Sequence, residues 1–330
     1  MKHEFKVTLF LIALFAIAQI VGLVILRASL LETFDESGNR EVVFDQSKVG
    51  EVPVMSGLSF LIYISAGVAI GTALVLLLLK FKKANWWRAW FFLAVFIAIN
   101  YALKTFLPVV LAVVIAFALA VWKIYKPNIV VHNTSEVLMY SGIAVFLVPL
   151  LNSMENSSVL GLPGNIFWAS LLLVIISVYD FIAVFKSKHM VSMAKFQAES
   201  QVFAGLFIPY TAKAPAPQVL ERRLSEAIKK SGPKKELKLP ELPAEAEKKT
   251  AILGGGDIAF PLIFSGTILF HLAKSMAIQQ AFNLSLIVAG TTTLAIALLF
   301  FAAKKDKFYP AMPMVSAGCF IGYGIILLLL

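Results

Sequence analysis

The chain has 330 residues, of which 59% are hydrophobic and only 15% are charged, and its mean hydropathy is +0.85. So much apolar sequence, arranged in long runs, excludes a soluble protein and indicates an integral membrane protein. The net charge of +10 fits positive residues that hold loops on the cytoplasmic side, so it does not indicate a nucleic-acid partner. The single cysteine, Cys319, excludes an intramolecular disulfide and cysteine-based zinc sites.

The apolar runs predict an all-α fold with nine transmembrane helices, because a hydrocarbon core of about 30 Å requires roughly 20 apolar residues per helix. The first run lacks a small-x-small cleavage site at its end, which favours a retained helix over a signal peptide. The fifth is short, with Glu136 at its head and within reach of the lipid headgroups. The predicted spans cover about residues 7–26, 55–79, 86–103, 105–122, 136–151, 165–185, 251–270, 283–303 and 309–330.

The loop charges predict a cytoplasmic N-terminus and a C-terminus outside, because most Lys and Arg residues then fall in inside loops. An acidic segment at 27–53 then lies outside, and a long cytoplasmic loop spans 186–250. The latter half of that loop is rich in Pro, Lys and Glu, which is typical of a largely disordered linker. The chain is therefore divided into helices one to six (1–185), the loop (186–250) and helices seven to nine (251–330).

Residues 202–210 of the long loop, VFAGLFIPY, form an apolar island. One interpretation is a short segment that lies on the membrane surface. The other is a segment that plugs or feeds an active site.

Two acidic residues lie well inside the predicted spans, Asp180 in the sixth and Asp257 in the seventh. A charge at such depth costs several kcal/mol, about 3 on insertion scales, and so indicates a functional site. Asp180 lies about five residues before the cytoplasmic end of its helix and Asp257 about six after the start of the next, which places both roughly 8–9 Å below one membrane face. The two acids are therefore expected to meet. The glycines at 254–256 are expected to leave room for another backbone beside Asp257.

Two carboxylates in contact in a low-dielectric site cannot both ionise, so they share a proton and titrate as a coupled pair. Such a pair can activate a water molecule while one carboxyl group protonates a carbonyl oxygen, which is the chemistry of aspartic proteases. The same pair could bind a proton or cation in a transporter or leak pathway, or join two helices as a polar contact. From the acids alone, protease and transporter are equally well supported.

Three motifs resemble those of the presenilin and signal peptide peptidase family. Tyr179-Asp180 resembles the YD motif, and Gly254-Gly255-Gly256-Asp257 matches the GxGD motif. Pro310-Ala311-Met312-Pro313 resembles the third motif, PAL followed by proline. Gly255 stands where leucine is common, and Met312 replaces the leucine of PAL. The stretch 177–185 around Tyr179-Asp180 is similar to the presenilin side of the family. The order of the motifs, the nine spans and the long loop between the acids also agree with the family.

The resemblance implies an intramembrane aspartyl endopeptidase with Asp180 and Asp257 as catalytic residues and water as the nucleophile, without metal or cofactor. Its substrates would be transmembrane helices of membrane proteins or signal peptides, with the glycines and the Pro310–Pro313 motif supporting the substrate. It implies a multi-pass protein in the lipid bilayer of a microbial cell membrane, and it leaves a homo-oligomer open. It also implies a self-cleavage site in the loop before Asp257, with 203–210 as the candidate region. A proton- or cation-coupled transporter with the same two aspartates is the alternative.

Overall fold

The computed structural model describes residues 5–81, 84–126, 128–152, 158–186, 203–211, 248–303 and 309–330. In this part of the chain eight helices are long and apolar enough to cross a membrane, and a further apolar helix, Val109–Tyr125, has 17 residues. The helices are α1 (Phe5–Ala28), α2 (Gly57–Lys80), α3 (Ala84–Leu103), α4 (Val109–Tyr125), α5 (Ile129–Asn152), α6 (Gly164–Phe185), α7 (Gly256–Ser275), α8 (Ile278–Ala302) and α9 (Met312–Leu329).

Helix α7 is the centre of the bundle and packs against α1, α5, α6, α8 and α9. Its residues are buried on nearly all sides, which an all-round apolar sequence permits. Small residues bring α1 close to it. A Cβ atom on Gly22 of α1 would lie 2.3 Å from Leu262 of α7, and one on Gly266 of α7 would lie 2.5 Å from Leu26 of α1. The close approach through glycines is typical of helix contacts inside membranes.

The acidic segment 27–53 folds into an antiparallel hairpin of β1 (Leu30–Phe34) and β2 (Arg40–Phe44), followed by a one-turn helix (Gln46–Val49). The hairpin contacts the end of α7. Phe44 stacks on Phe270 with 4.9 Å between ring centroids, and Arg40 donates a hydrogen bond of 3.0 Å to the carbonyl of Ala273. Another two-stranded pair, β3 (Ser158–Val159) with β4 (Leu162–Pro163), precedes α6.

The apolar island is a strand, β5 (Gly205–Thr211), which pairs antiparallel with β6 (Lys248–Gly254). Leu206 and Leu253 of this hairpin are buried among the helices, so the interpretation of a segment lying on the membrane surface is wrong. The predicted seventh span began at 251, whereas residues 251–254 belong to β6 and α7 begins at Gly256. Glycine is a poor helix former, and the preceding residues pair with β5 instead. The predicted disorder of the long loop concerns residues 187–202 and 212–247, which lie outside the described part.

Helix α5 begins seven residues before the predicted fifth span. Asn128 caps it, because its side chain accepts a hydrogen bond of 2.8 Å from the Val131 N–H. Glu136 therefore lies two turns inside the helix and is fully buried, so the prediction that it reaches the headgroups is wrong. Lys123, one residue beyond the predicted fourth span, lies in α4 and is also buried.

Candidate active site

Asp180 lies near the end of α6 and is 6% exposed. Its Oδ2 accepts a hydrogen bond of 3.1 Å from the backbone N–H of Met312, and the backbone of Ala311 makes a second contact. Met312 is the first residue of α9, where backbone N–H groups have no partner within the helix. Asp180 therefore caps α9 and joins the YD-like motif to the PAL-like motif.

Tyr179, the other residue of the YD-like motif, points away from this site, as its position on the helix predicts. Its hydroxyl lies 2.9 Å from the hydroxyl of Thr72 on α2. Tyr179 therefore joins α6 to α2.

Asp257 is the second residue of α7 and is 8% exposed. Its carboxylate turns back toward the glycines and accepts a hydrogen bond from the backbone of Gly254. Helix α6 packs against α7, and the carboxylate of Asp180 interacts electrostatically with that of Asp257. The structure thus brings the two acids together, although the depth calculation placed Asp257 inside a helix rather than at its start.

The three glycines before Asp257 differ in what surrounds them. A Cβ atom on Gly255 would lie 2.3 Å from the hydroxyl oxygen of Tyr140, far inside contact distance. One on Gly254 would lie 3.2 Å from Oδ2 of Asp257, whereas one on Gly256 would meet Phe260 at an ordinary 3.6 Å. Tyr140 therefore fills the space that a side chain at position 255 would need.

The PAL-like motif lies at the start of α9. Pro310 and Ala311 precede the helix, and Pro313 occupies its first turn, where proline is tolerated because no intrahelical N–H bond is lost. Helices α6 and α9 are joined beside this motif by a 2.8 Å hydrogen bond between Ser177 and Ser316.

A groove of about 440 Å³ runs along α6 and α9. Its wall is almost wholly apolar. The lining residues are Val174, Ser177, Val178, Phe181, Pro313, Ser316, Ala317 and Phe320.

A second polar cluster, which the sequence did not predict, reaches the glycines from the other side. Lys123 of α4 and Tyr140 of α5 both donate hydrogen bonds to the carboxylate of Glu136, and all three side chains are buried. The signal was present as a lysine and a glutamate at the ends of neighbouring apolar runs. A charge at such an end normally contacts water or headgroups, so the pattern alone does not indicate a buried pair.

The helices and the two buried acids define a multi-pass membrane protein with a pair of neighbouring carboxylates among its helices. A family model described as "Signal-peptide peptidase, presenilin aspartyl protease" matches residues 12–330, and the chain belongs to that family. It is accordingly an intramembrane aspartyl protease of the presenilin type.

Among solved structures, the chain is similar to one described as "Structure of a presenilin family intramembrane aspartate protease in C222 space group". The TM-score is 0.57 at 17% sequence identity, and the match covers 98% of this chain and 99% of that chain. This likeness shows that the fold is presenilin-like. No curated protein matches the sequence.

Proposed function

We propose that Asp180 and Asp257 are the catalytic pair and hydrolyse peptide bonds within transmembrane helices. The observation that carries this proposal is a pair of buried carboxylates that interact electrostatically. Asp180 accepts a backbone hydrogen bond from the PAL-like motif, and Asp257 accepts one from Gly254 of its own motif. One carboxylate takes a proton from the attacking water, and the other carboxyl group gives its proton to the carbonyl oxygen of the substrate. The first group then gives its proton to the amide nitrogen as the C–N bond breaks, and the second takes a proton back from the hydroxyl group as the new carbonyl forms.

The edge of β6 that faces away from β5 is a candidate surface for the substrate backbone. Gly205 and Phe207 of β5 bond through their backbone groups to side chains of α5, so these groups point away from β6. Residues opposite each other in an antiparallel pair turn their N–H and C=O the same way, both toward or both away from the partner strand. Ile252 lies opposite Phe207 and Gly254 opposite Gly205, so the backbone groups of Ile252 also point outward.

A transmembrane substrate must unwind before its peptide bonds become accessible, and the unwound backbone then needs hydrogen-bond partners inside the membrane. An extended substrate segment paired with β6 would satisfy this need by strand addition. Ile252 is 42% exposed, and Gly254, next along the same edge, donates to Asp257. This continuity supports delivery of the unwound segment to the two aspartates.

Ile252→Pro tests strand addition, because it removes an N–H that points away from β5 and an edge strand tolerates proline there. We expect kcat/KM to fall roughly 2- to 10-fold, the value of one hydrogen bond, with no change in Tm. Ile252→Val keeps the N–H and serves as the matched control. Equal kcat/KM for the two folded variants would contradict pairing at this edge.

On the basis of the loop charges, we further propose that the N-terminus lies in the cytoplasm and the β1–β2 hairpin outside. Ser37 in the turn between β1 and β2 is exposed, whereas Cys319 is fully buried. In Ser37→Cys, a thiol reagent should therefore react with the introduced cysteine and leave Cys319 unlabelled. A membrane-impermeant maleimide should label Ser37→Cys in intact cells. Labelling only after the membrane is opened would reverse the orientation.

Self-cleavage in the loop before Asp257 stays a prediction, with 203–210 as the candidate region. Residues 205–210 are paired in β5, so a cut there would require the strand to leave its place beside β6. A purified protein that is active yet remains one intact band would contradict it.

The transporter alternative makes a different prediction for ligand binding. A transition-state-analogue inhibitor of aspartic proteases should bind the wild type, and Asp180→Ala or Asp257→Ala should abolish that binding. Proton or cation flux through reconstituted protein, without cleavage or inhibitor binding, would favour the transporter.

A further inference from the structure

The carboxylate of Glu136 is the meeting point of three elements near the site. Its Oε1 accepts from Lys123 of α4, and its Oε2 accepts from the Tyr140 hydroxyl one turn further along α5. Oε2 also accepts a hydrogen bond of 2.8 Å from the backbone N–H of Gly205, the first residue of β5. The glutamate is 0% and the lysine 2% exposed, so each charge depends on the other for compensation.

Two further side chains of α5 hold β5 in place. The Nε2 atom of His132 lies 2.8 Å from the carbonyl oxygen of Gly205. The amide of Asn133 pairs with the backbone of Phe207, donating at 3.0 Å and accepting at 3.1 Å. The outer edge of β5 is thus occupied by α5, and its inner edge pairs with β6.

Glu136 reaches the glycines before Asp257 along two routes. By the first, it bonds to Gly205, which lies opposite Gly254 in the strand pair. By the second, it holds the hydroxyl of Tyr140, whose ring leaves no space for a Cβ atom on Gly255. The Tyr140 hydroxyl is also close enough to Asp257 for an electrostatic interaction with that carboxylate.

We infer that Lys123, Glu136 and Tyr140 are positioning residues that fix the backbone at Gly254 and Gly255 and thereby hold the carboxylate of Asp257 in its catalytic place. The inference rests on the proposed role of Asp257 in peptide-bond hydrolysis. Lys123 fixes the glutamate, the glutamate fixes the tyrosine and β5, and these two fix the glycines. None of the three residues needs to touch the substrate.

Tyr140→Phe tests the inference, because it keeps the ring and removes only the hydroxyl that Glu136 holds. The assay measures kcat and KM for a transmembrane-helix substrate in proteoliposomes, and Tm for the same preparation. We expect kcat to fall by on the order of 10-fold, because a misplacement of about 1 Å can cost up to about 10²-fold, and KM to stay unchanged. Tm should fall slightly, since the buried carboxylate of Glu136 loses one of its hydrogen bonds.

Tyr101→Phe is the matched control, since Tyr101 is a half-buried tyrosine of α3. It should leave kcat, KM and Tm at the wild-type values. A Tyr140→Phe enzyme with the kcat of the Tyr101→Phe enzyme would overturn the inference. A lower Tm with an unchanged kcat per folded enzyme would show a purely structural role for the hydroxyl, and this outcome would also overturn the inference.

Removal of the charges gives a second, independent test. Glu136→Gln alone leaves Lys123 buried without a counter-charge and could prevent folding. The double variant Lys123→Met with Glu136→Leu removes both charges, and such replacements by apolar residues are often tolerated. We expect it to fold, with kcat reduced at least as much as in Tyr140→Phe. A folded double variant with wild-type kcat would overturn the inference.

The aspartate variants in the same assay separate the two proposals. If Asp180→Ala and Asp257→Ala remain active, the proposed function fails. If both are inactive while Tyr140→Phe and the double variant retain wild-type kcat, only the positioning role fails.

Discussion

Gly255→Ala adds a single methyl group, yet we expect it to disturb the site strongly. The new Cβ atom would lie 2.3 Å from the Tyr140 hydroxyl oxygen and 2.7 and 2.8 Å from two ring carbons, whereas ordinary contact begins at 3.4 Å. The ring cannot retreat easily, because it is 3% exposed and its hydroxyl is held by Glu136. Either the backbone at position 255 or the Tyr140 ring must therefore move by about 1 Å. Overpacking of this kind usually lowers the free energy of unfolding by about 1–3 kcal/mol.

The same displacement acts on catalysis, because Gly255 is two residues before Asp257. A shift of about 1 Å at a catalytic group can reduce turnover by up to about 10²-fold. We therefore expect a lower Tm, by at least about 2 °C, together with a clear loss of kcat.

Thermal unfolding in detergent and turnover of a transmembrane-helix peptide measure the two effects. Gly71→Ala is the control for a glycine replaced in a helix, since a Cβ atom there has no neighbour within 4 Å among the described residues. Gly256→Ala should keep a Tm close to the wild type, because its Cβ atom makes only ordinary contact with Phe260. If Gly255→Ala has the Tm and kcat of Gly71→Ala, the close contact with Tyr140 is not real and this reasoning is refuted.

Three smaller predictions follow. Pro310→Ala should slow substrate processing without changing Tm, and unchanged cleavage would argue against a role for this motif. Ser316→Ala removes the 2.8 Å hydrogen bond to Ser177 and should lower the free energy of unfolding by about 1 kcal/mol, as measured by denaturant titration against Ser316→Thr, which keeps the hydroxyl. Hydrogen bonds from Ser47 hold the pKa of Asp45 below its ordinary value of 3.8, so the protection of residues 46–49 against hydrogen exchange should be full above pH 3.8 and should fade as the pH falls further. Protection that fades equally in Asp45→Asn would contradict this.

The sequence predicted the parts of the structure that depend on local pattern. Apolar runs indicate membrane helices because the hydrocarbon core sets their length, and the prediction of a presenilin-like helical membrane fold is confirmed. The meeting of Asp180 and Asp257 could also be predicted, because consecutive antiparallel helices bring residues near their shared end together. The role of these acids in catalysis stays a proposal.

The hairpin of β5 and β6 could not be predicted, because its two strands are separated by 36 residues that carry no pairing signal, residues 212–247. The apolar residues of β6 run directly into those of α7, so hydropathy alone merges the strand with the helix. Only pairing with β5, a contact between distant parts of the chain, shows that the helix begins at Gly256.

The cluster around Glu136 was missed for a related reason. A charge near the end of an apolar run normally reaches water or headgroups, and the sequence does not show that Lys123 faces it from the neighbouring helix. The third partner, the backbone of Gly205, is 69 residues away in the chain. Buried ion pairs of this kind are determined by packing, which hydropathy does not describe.

The most direct test of the account is cleavage of a transmembrane-helix substrate by the purified, reconstituted protein, with the products identified by mass spectrometry. The wild type should release fragments cut within the membrane-spanning part of the substrate. Asp180→Ala and Asp257→Ala, purified to the same folded state, should release none. If either variant gives the wild-type fragments, the two aspartates are not the catalytic pair.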